Sequence, residues 1–230
     1  MRTKGSGESP LLLLDVIDVL NALQVPYAIV GAFAASFYGV IRASVDADAV
    51  ISLSSAPVSL GALVDALHKA GLKATRSRGE PGDPIGTVIH VKDCFDNCVD
   101  LLMRIRGMAE AAFTRTIETK FMHMPVRVIG VEDFIAMKLF VGSPKDIKPS
   151  QNLGDCEFRI ANCELARRKK SAIRNSKSAM RRYWDEFMND AIGVLNVSSN
   201  RVRRPLLKEL VQGYGKEALR NLAALLRETR

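Results

Sequence analysis

The chain has 230 residues, 47% apolar and 25% charged, with a formal net charge of +8; this suits a globular protein with one sizeable core and room for a small helical appendage. Neither export nor a membrane span is expected, because Asp15 and Asp18 interrupt the early apolar run and residues 28 to 41, the most apolar window, are short and rich in Gly and Ser. Cys94, Cys98, Cys156 and Cys163 lack paired CxxC spacing and have few histidines nearby, so reduced thiols in a cytoplasm are expected rather than a zinc site.

Ser9 and Pro10 read as an N-cap and first-turn pair that opens an amphipathic helix running to about Leu23. Gln24-Val25-Pro26 breaks it, and "YAIV" is a short buried strand. Gly31 follows at once, and "AFAASFYG" has the small and aromatic residues of a helix packed tightly on that strand. Residues 44 to 53 form the next predicted strand, with Asp46 and Asp48 inside it. After the turn "SSAP", "VSLGALVDALHKAGL" has helical apolar spacing and a stop at Gly71. "LKATRS", "IGTVIHV" and "NCVDLLMR" read as three strands, with "RGEPGDP" a loop between the first two. A short helix near residues 108 to 117 leads to the strand "MPVRVIG". The helix "VEDFIAMKLFV" follows, with Glu132 and Asp133 near the positive end of its dipole. This order predicts an α/β fold, a small mixed sheet flanked by helices.

Charge divides the chain. Residues 1 to 148 hold 16 basic and 16 acidic side chains, residues 149 to 204 hold 12 and 6, and residues 205 to 230 hold 5 and 3. The middle stretch has neither clean periodicity nor readable turns. From Pro205 onward, two short amphipathic helices broken at Gly213–Gly215 form a C-terminal helical tail. The expected organisation is a domain over 1–148, a basic irregular segment over 149–204 and the tail over 205–230.

The chemistry concentrates in "GVIRASVDADAV". Residues i and i+2 of a strand share a face, with Cα atoms about 7 Å apart. Asp46 and Asp48 are therefore expected side by side and half-buried, where like charges repel unless something positive lies between them. Asp100 sets a third carboxylate among the apolar residues of "NCVDLLMR". Upstream, strand–Gly31–helix offers a helix N-terminus, whose free N–H groups and dipole favour a phosphate. Three acids converging at one edge of a sheet make sense when divalent cations bridge them to a nucleotide's phosphates.

"YAIVGAFAASFYGVIRASVDADAVI" resembles the signature of the nucleotidyltransferase fold of the DNA polymerase β superfamily: Gly-Gly or Gly-Ser before a helix, then Asp-x-Asp on the next strand. With Gly39, Arg42 and Ser44 leading into the acid pair, it is most similar to the AbiEii-like nucleotidyltransferases, often toxins of bacterial toxin–antitoxin systems. "VEDFIAMKLFVGSPKDIK", a Lys on a helix followed by a basic residue and Asp, adds to the match. The resemblance covers residues 10 to 148 and resumes at about 204 to 228. It implies Mg²⁺, or Mn²⁺, held by Asp46, Asp48 and Asp100, with Asp100 also helping to activate the attacking hydroxyl. Gly31 and Ala32 would cradle the phosphates of an NTP, with Arg42, Ser44 and Lys138 completing the nucleotide site and Arg42 and Lys138 neutralising charge. The implied activity is transfer of a nucleoside monophosphate to a hydroxyl of a protein, a tRNA or a small molecule, with an antitoxin protein as a partner of the toxin form. Two positions depart from the pattern. Ala32 stands where Gly or Ser is usual, and Pro149 stands where a second Asp commonly follows Asp146. Because the composition changes at the same point, residues 149–204 read as a foreign insert or a reading-frame accident.

Plainer readings stand beside these. The Asp46/Asp48 pair could be surface acids on an edge strand, and Asp100 could pair with Arg104 or Arg106. Arg42 could bridge an acid of the site, and Lys138 could snorkel. His68, His90 and His123 are isolated and read as structural or surface residues. The basic run at 167–184 reads first as a solvated face; as an RNA surface it would add Tyr183 and Trp184 for stacking. Two other functions are therefore carried: a decayed, non-catalytic member that binds a nucleotide or partner, and a basic RNA-binding protein.

Overall fold

A computed structural model describes residues 1–41, 44–79, 83–141 and 188–229. Its first helix, α1 (Ser9–Ala22), carries Pro10 in the first turn, where a missing N–H leaves no bond unmade. Glu8, not Ser9, is the N-cap residue. The Ser9 hydroxyl is used across the fold instead: it donates to the Val45 carbonyl at 2.6 Å and accepts from the Cys98 N–H at 3.1 Å.

Then come β1 (Tyr27–Val30), α2 (Gly31–Phe37), β2 (Ala47–Ile51), α3 (Leu60–Lys69), β3 (Lys73–Arg78), β4 (Ile85–Lys92) and β5 (Cys98–Ile105). A 3-10 turn (Glu110–Thr114) leads to β6 (Ile117–Phe121), β7 (Met124–Val128) and α4 (Val131–Val141). The strands form one seven-stranded mixed sheet in the order β3-β4-β5-β2-β1-β7-β6. In its middle, β2 runs parallel to β5 and antiparallel to β1, and β1 runs parallel to β7. Every residue of β1 and β2 is buried, as expected of strands covered on both faces. The α/β architecture expected from the sequence, a mixed sheet flanked by helices, is present.

Two local expectations are corrected. β2 starts at Ala47, so Asp46 sits in the bend before the strand and not within it. The reason is that Ser9 takes the Val45 carbonyl while the Ser44 hydroxyl donates to the Asp46 carbonyl at 2.9 Å, removing both from the sheet ladder. The predicted helix at 108–117 is a 3-10 turn followed by β6. The β6–β7 hairpin turns at Met122 and His123, whose φ values are 48° and 66°. Hairpin turns with two positive φ angles are usually signalled by Asn-Gly, which is absent here.

Of the stretch set apart by its charge, residues 149–187 lie outside the described residues, and with them the 167–184 basic run. Residues 188–197 form a helix, α5, followed by α6 (Arg204–Tyr214) and α7 (Lys216–Glu228). Met188, Ala191, Val194 and Leu195 of α5 belong to the same buried core as the sheet. α5 lies close to the end of α2: a Cβ on Gly193 would stand 2.9 Å from Val40, and one on Gly39 3.1 Å from Val197. The acids opening α4 act as cross-links. Glu132 accepts from the N–H and Nε of Arg203, at the start of α6, and Asp133 accepts two 2.7 Å bonds from Arg115. Those bonds hold the Arg115 guanidinium above its ordinary range despite partial burial. No helix among the described residues is long and apolar enough to cross a membrane.

Lys138 of α4 donates to Asp190 of α5 at 2.7 Å, with both side chains buried. Removing one member of such a pair leaves a buried charge and costs about 3–5 kcal/mol, whereas replacing both by apolar groups can be neutral. Lys138→Met and Asp190→Leu should each lower stability by about that amount, and the double variant should recover most of it. Urea denaturation measures all three. Additive losses in the double variant would mean that the pair does not hold α5 to α4.

Candidate functional site

The geometry of the site follows from strand register. Asp48 of β2 lies directly opposite Asp100 of β5, and Asp100 directly opposite His90 of β4. On the other side of β2, Asp48 lies opposite Val30, the residue before Gly31. Residues in direct register on neighbouring strands face the same side, about 4.8 Å apart. The middle of the sheet therefore carries a row, Asp48–Asp100–His90, with Asp46 just ahead of it. Asp46, Asp48 and Asp100 are 5%, 4% and 3% exposed. The edge-strand reading of the first two acids does not hold, because β2 is the central strand.

Gly31 explains how Asp48 fits. Its φ is +68°, and an added Cβ would lie 2.1 Å from Asp48 Oδ2 and 3.0 Å from Cγ. The carboxylate therefore packs directly on the Gly31 backbone, an approach open only to glycine. α2 has just seven residues, so this contact, more than a helix dipole, is what the strand–Gly–helix turn contributes. Ala32 is buried beside it.

Asp100 is gripped on one oxygen. His90 Nδ1 lies 2.7 Å from Asp100 Oδ1, and the buried Cys98 thiol lies 3.7 Å from the same oxygen. His90 Nε2 in turn lies 2.9 Å from the Ser77 hydroxyl on β3. Asp100 thus pairs with His90 and not with Arg104 or Arg106. The β4–β5 turn sets the register that makes this possible. Asp93 accepts from the N–H groups of Phe95 and Asn97 and from Asn97 Nδ2. Asn97 also binds Gly5 and Glu8 ahead of α1. Burial alone would raise the Asp93 pKa, but the hydrogen bonds from Asn97 and the backbone outweigh it and hold the carboxyl below its ordinary range.

Ser44 is exposed and shapes the bend at Asp46. Arg42 lies outside the described residues. Lys138 is buried against Asp190, with its ammonium 5.5 Å from the centre of the Phe134 ring, and does not snorkel to solvent. Three residues have roles that the sequence did not disclose: His90, Ser77 and Ser9. A signal for the first was available: pairing "IGTVIHV" with "NCVDLLMR" across a short turn brings His90 opposite Asp100.

Three carboxylates are a hard-oxygen donor set of the kind that suits Mg²⁺ or Mn²⁺, and Gly31 leaves space at Asp48 that a Cβ would fill. Among the described residues, however, no three His, Cys, Asp or Glu side chains are gathered closely enough to hold one ion. The donor chemistry fits; the side chains stand as a row and not as a closed cage.

No protein-family model matches the sequence, and no curated protein does. Among solved structures, the chain is similar to the solution structure of the antibiotic-resistance factor ANT(2'')-Ia, with 12% identity, 94% of each chain covered and a TM-score of 0.46. It is also similar to the crystal structure of ANT(2'')-Ia in complex with adenylyl-2''-tobramycin, with 14% identity, 76% of this chain and 94% of that one covered, and a TM-score of 0.43. A third similar structure is an antigenic nucleotidyltransferase-like protein from Paracoccidioides brasiliensis, with 12% identity, coverage of 93% and 97%, and a TM-score of 0.40.

Two predictions test the site's construction. Gly31→Ala should destabilise the protein by at least about 2 kcal/mol, since a left-handed conformation alone costs a non-glycine residue about 1–2 kcal/mol. Part of that loss should disappear in an Asp48→Ala background, because the added Cβ then meets no carboxylate. Additive losses in denaturant titrations would show that Asp48 does not press on Gly31. Asp93 has a folded pKa below its unfolded value, so its stabilisation is present at neutral pH and is lost as pH falls through the folded value. The stability gap between wild type and Asp93→Asn should therefore narrow below about pH 4. A gap that stays constant down to pH 2 would contradict this.

Proposed function

We propose that the protein is a metal-dependent nucleotidyltransferase that moves a nucleoside monophosphate from an NTP to an acceptor hydroxyl and releases pyrophosphate. The observation that carries this reading is the register of Asp48 and Asp100 on adjacent parallel strands, with Asp46 just ahead and Gly31 closed against Asp48. In the reaction, the acceptor oxygen bonds to the α-phosphorus, the bond to the β-phosphate oxygen breaks and pyrophosphate leaves. Asp46, Asp48 and Asp100 would close from their row to hold Mg²⁺ or Mn²⁺, which when bound neutralises phosphate charge and steadies the attacking and leaving oxygens. Asp100 orients the acceptor hydroxyl and takes up its proton. The Gly31–Ala32 backbone approaches the phosphates, and Arg42 and Ser44 belong to the nucleotide site. The acceptor is a hydroxyl of a protein, a tRNA or a small molecule, and in a toxin–antitoxin setting an antitoxin protein would be the partner.

A second reading, a nucleotide-binding protein without catalysis, is favoured by the contacts already made to Asp100 Oδ1 and to Lys138. The two separate in one assay: each labelled NTP with Mg²⁺ and a cell lysate, scoring label on protein, RNA and small molecules together with pyrophosphate release. Asp48→Asn and Asp100→Asn should each lower transfer at least about a hundredfold, the scale of a few kcal/mol of lost charge stabilisation. Nucleotide binding without pyrophosphate release would favour the second reading. Transfer undiminished in both variants would reject the first.

A further inference from the structure

We infer that His90 is a positioning residue that fixes the rotamer of Asp100 and reserves Asp100 Oδ2 for the reaction; this rests on the nucleotidyl-transfer reading. The bond itself rests on geometry alone. Register places His90 directly across from Asp100, and Nδ1 lies 2.7 Å from Oδ1. A carboxylate that is to hold a cation accepts and does not donate, so Nδ1 is the donor of this bond. In the neutral ring Nε2 is then an acceptor, and the Ser77 hydroxyl at 2.9 Å donates to it. Ser77 thus locks the tautomer, the tautomer directs a donor at Oδ1, and one face of the carboxylate is taken. Asp100 is 3% exposed, so there is little room for it to turn about and present the other oxygen to His90. Fixing an acid in this way removes a rotational freedom that would otherwise be lost on binding, which is how outer partners of a reacting group sustain rate.

Three substitutions separate positioning from its alternatives. Asn carries an amide nitrogen near the place of His Nδ1, Gln carries one near the place of Nε2, and Ala carries neither. His90→Ala and His90→Gln should weaken Mn²⁺ binding, followed by electron paramagnetic resonance, by about 10-fold or more. They should lower kcat by a similar factor with KM for the NTP unchanged, and His90→Asn should restore both quantities to near wild type. In the wild-type protein, ¹⁵N-resolved NMR of the imidazole should show the proton on Nδ1, and Ser77→Ala should shift population to the other tautomer. Circular dichroism establishes that each variant is folded. The inference is overturned if the wild-type proton sits on Nε2, if His90→Asn is as impaired as His90→Ala, or if Mn²⁺ affinity is the same in all four proteins. If Mn²⁺ affinity follows the expected order of variants while the wild type transfers no nucleotide, the proposed function is rejected and only the fixing of Asp100 by His90 stands.

Discussion

Two carboxylates in register on neighbouring parallel strands are the constraint around which this fold is arranged. Asp48 and Asp100 lie directly opposite each other in the buried middle of the sheet. Two unit charges one strand spacing apart repel by on the order of 3 kcal/mol at an effective dielectric of about 20. A sheet does not hold such a pair by apolar packing alone: His90 meets Asp100 Oδ1, and further bonds fix the strand ends that carry the two acids. Ser9 ties the start of β2 to the start of β5 through one hydroxyl. The Asp93–Asn97 turn sets β4 against β5 and is itself fastened to the chain ahead of α1. Gly31 gives up a side chain so that Asp48 can lie on its backbone. Each device converges on the same end of the same two strands.

The helical layer is fastened by charge as well. Glu132 and Asp133 open α4 and reach Arg203 and Arg115, and Lys138 near its end reaches Asp190. Asn221 of α7 donates to the Leu139 carbonyl. These bonds make α5, α6 and α7 part of one packed body with the sheet. Asp190 and α5 fall inside the stretch that composition sets apart, so that stretch supplies a piece of the core.

Much of the fold was legible because its grammar is local. Pro10, Gly71 and the alternating or helical apolar patterns mark most helices and strands within a few residues. The acids stood out because each interrupts an apolar stretch, Asp48 and Asp100 within strands and Asp46 in the bend just ahead of one. Long-range pairing was harder to read. The role of Ser9 depends on Val45 and Cys98, far away in sequence, and no cap rule separates a serine that caps a helix from one that bridges two strands. The Met122–His123 turn hid β6 because its two positive φ angles fall on a pair with neither Gly nor Asn to signal them. His90 looked isolated for a similar reason: its partners, Asp100 and Ser77, sit on neighbouring strands and become visible only once β3, β4 and β5 are set in register. Lys138 was legible as a cation on an apolar helix, but its partner Asp190 lies 52 positions on, beyond a change of composition.

On the function proposed for this protein, the Asp48–Asp100 row, with Asp46 and Gly31, binds a divalent cation and a nucleotide together. Paramagnetic broadening of backbone amide signals by Mn²⁺, without and with a non-hydrolysable NTP analogue, tests it most directly. Saturable broadening centred on residues 31–32, 46–48 and 99–101, tightened by the analogue, is the expected result. Broadening centred elsewhere on the protein, or none at saturating analogue, would contradict it.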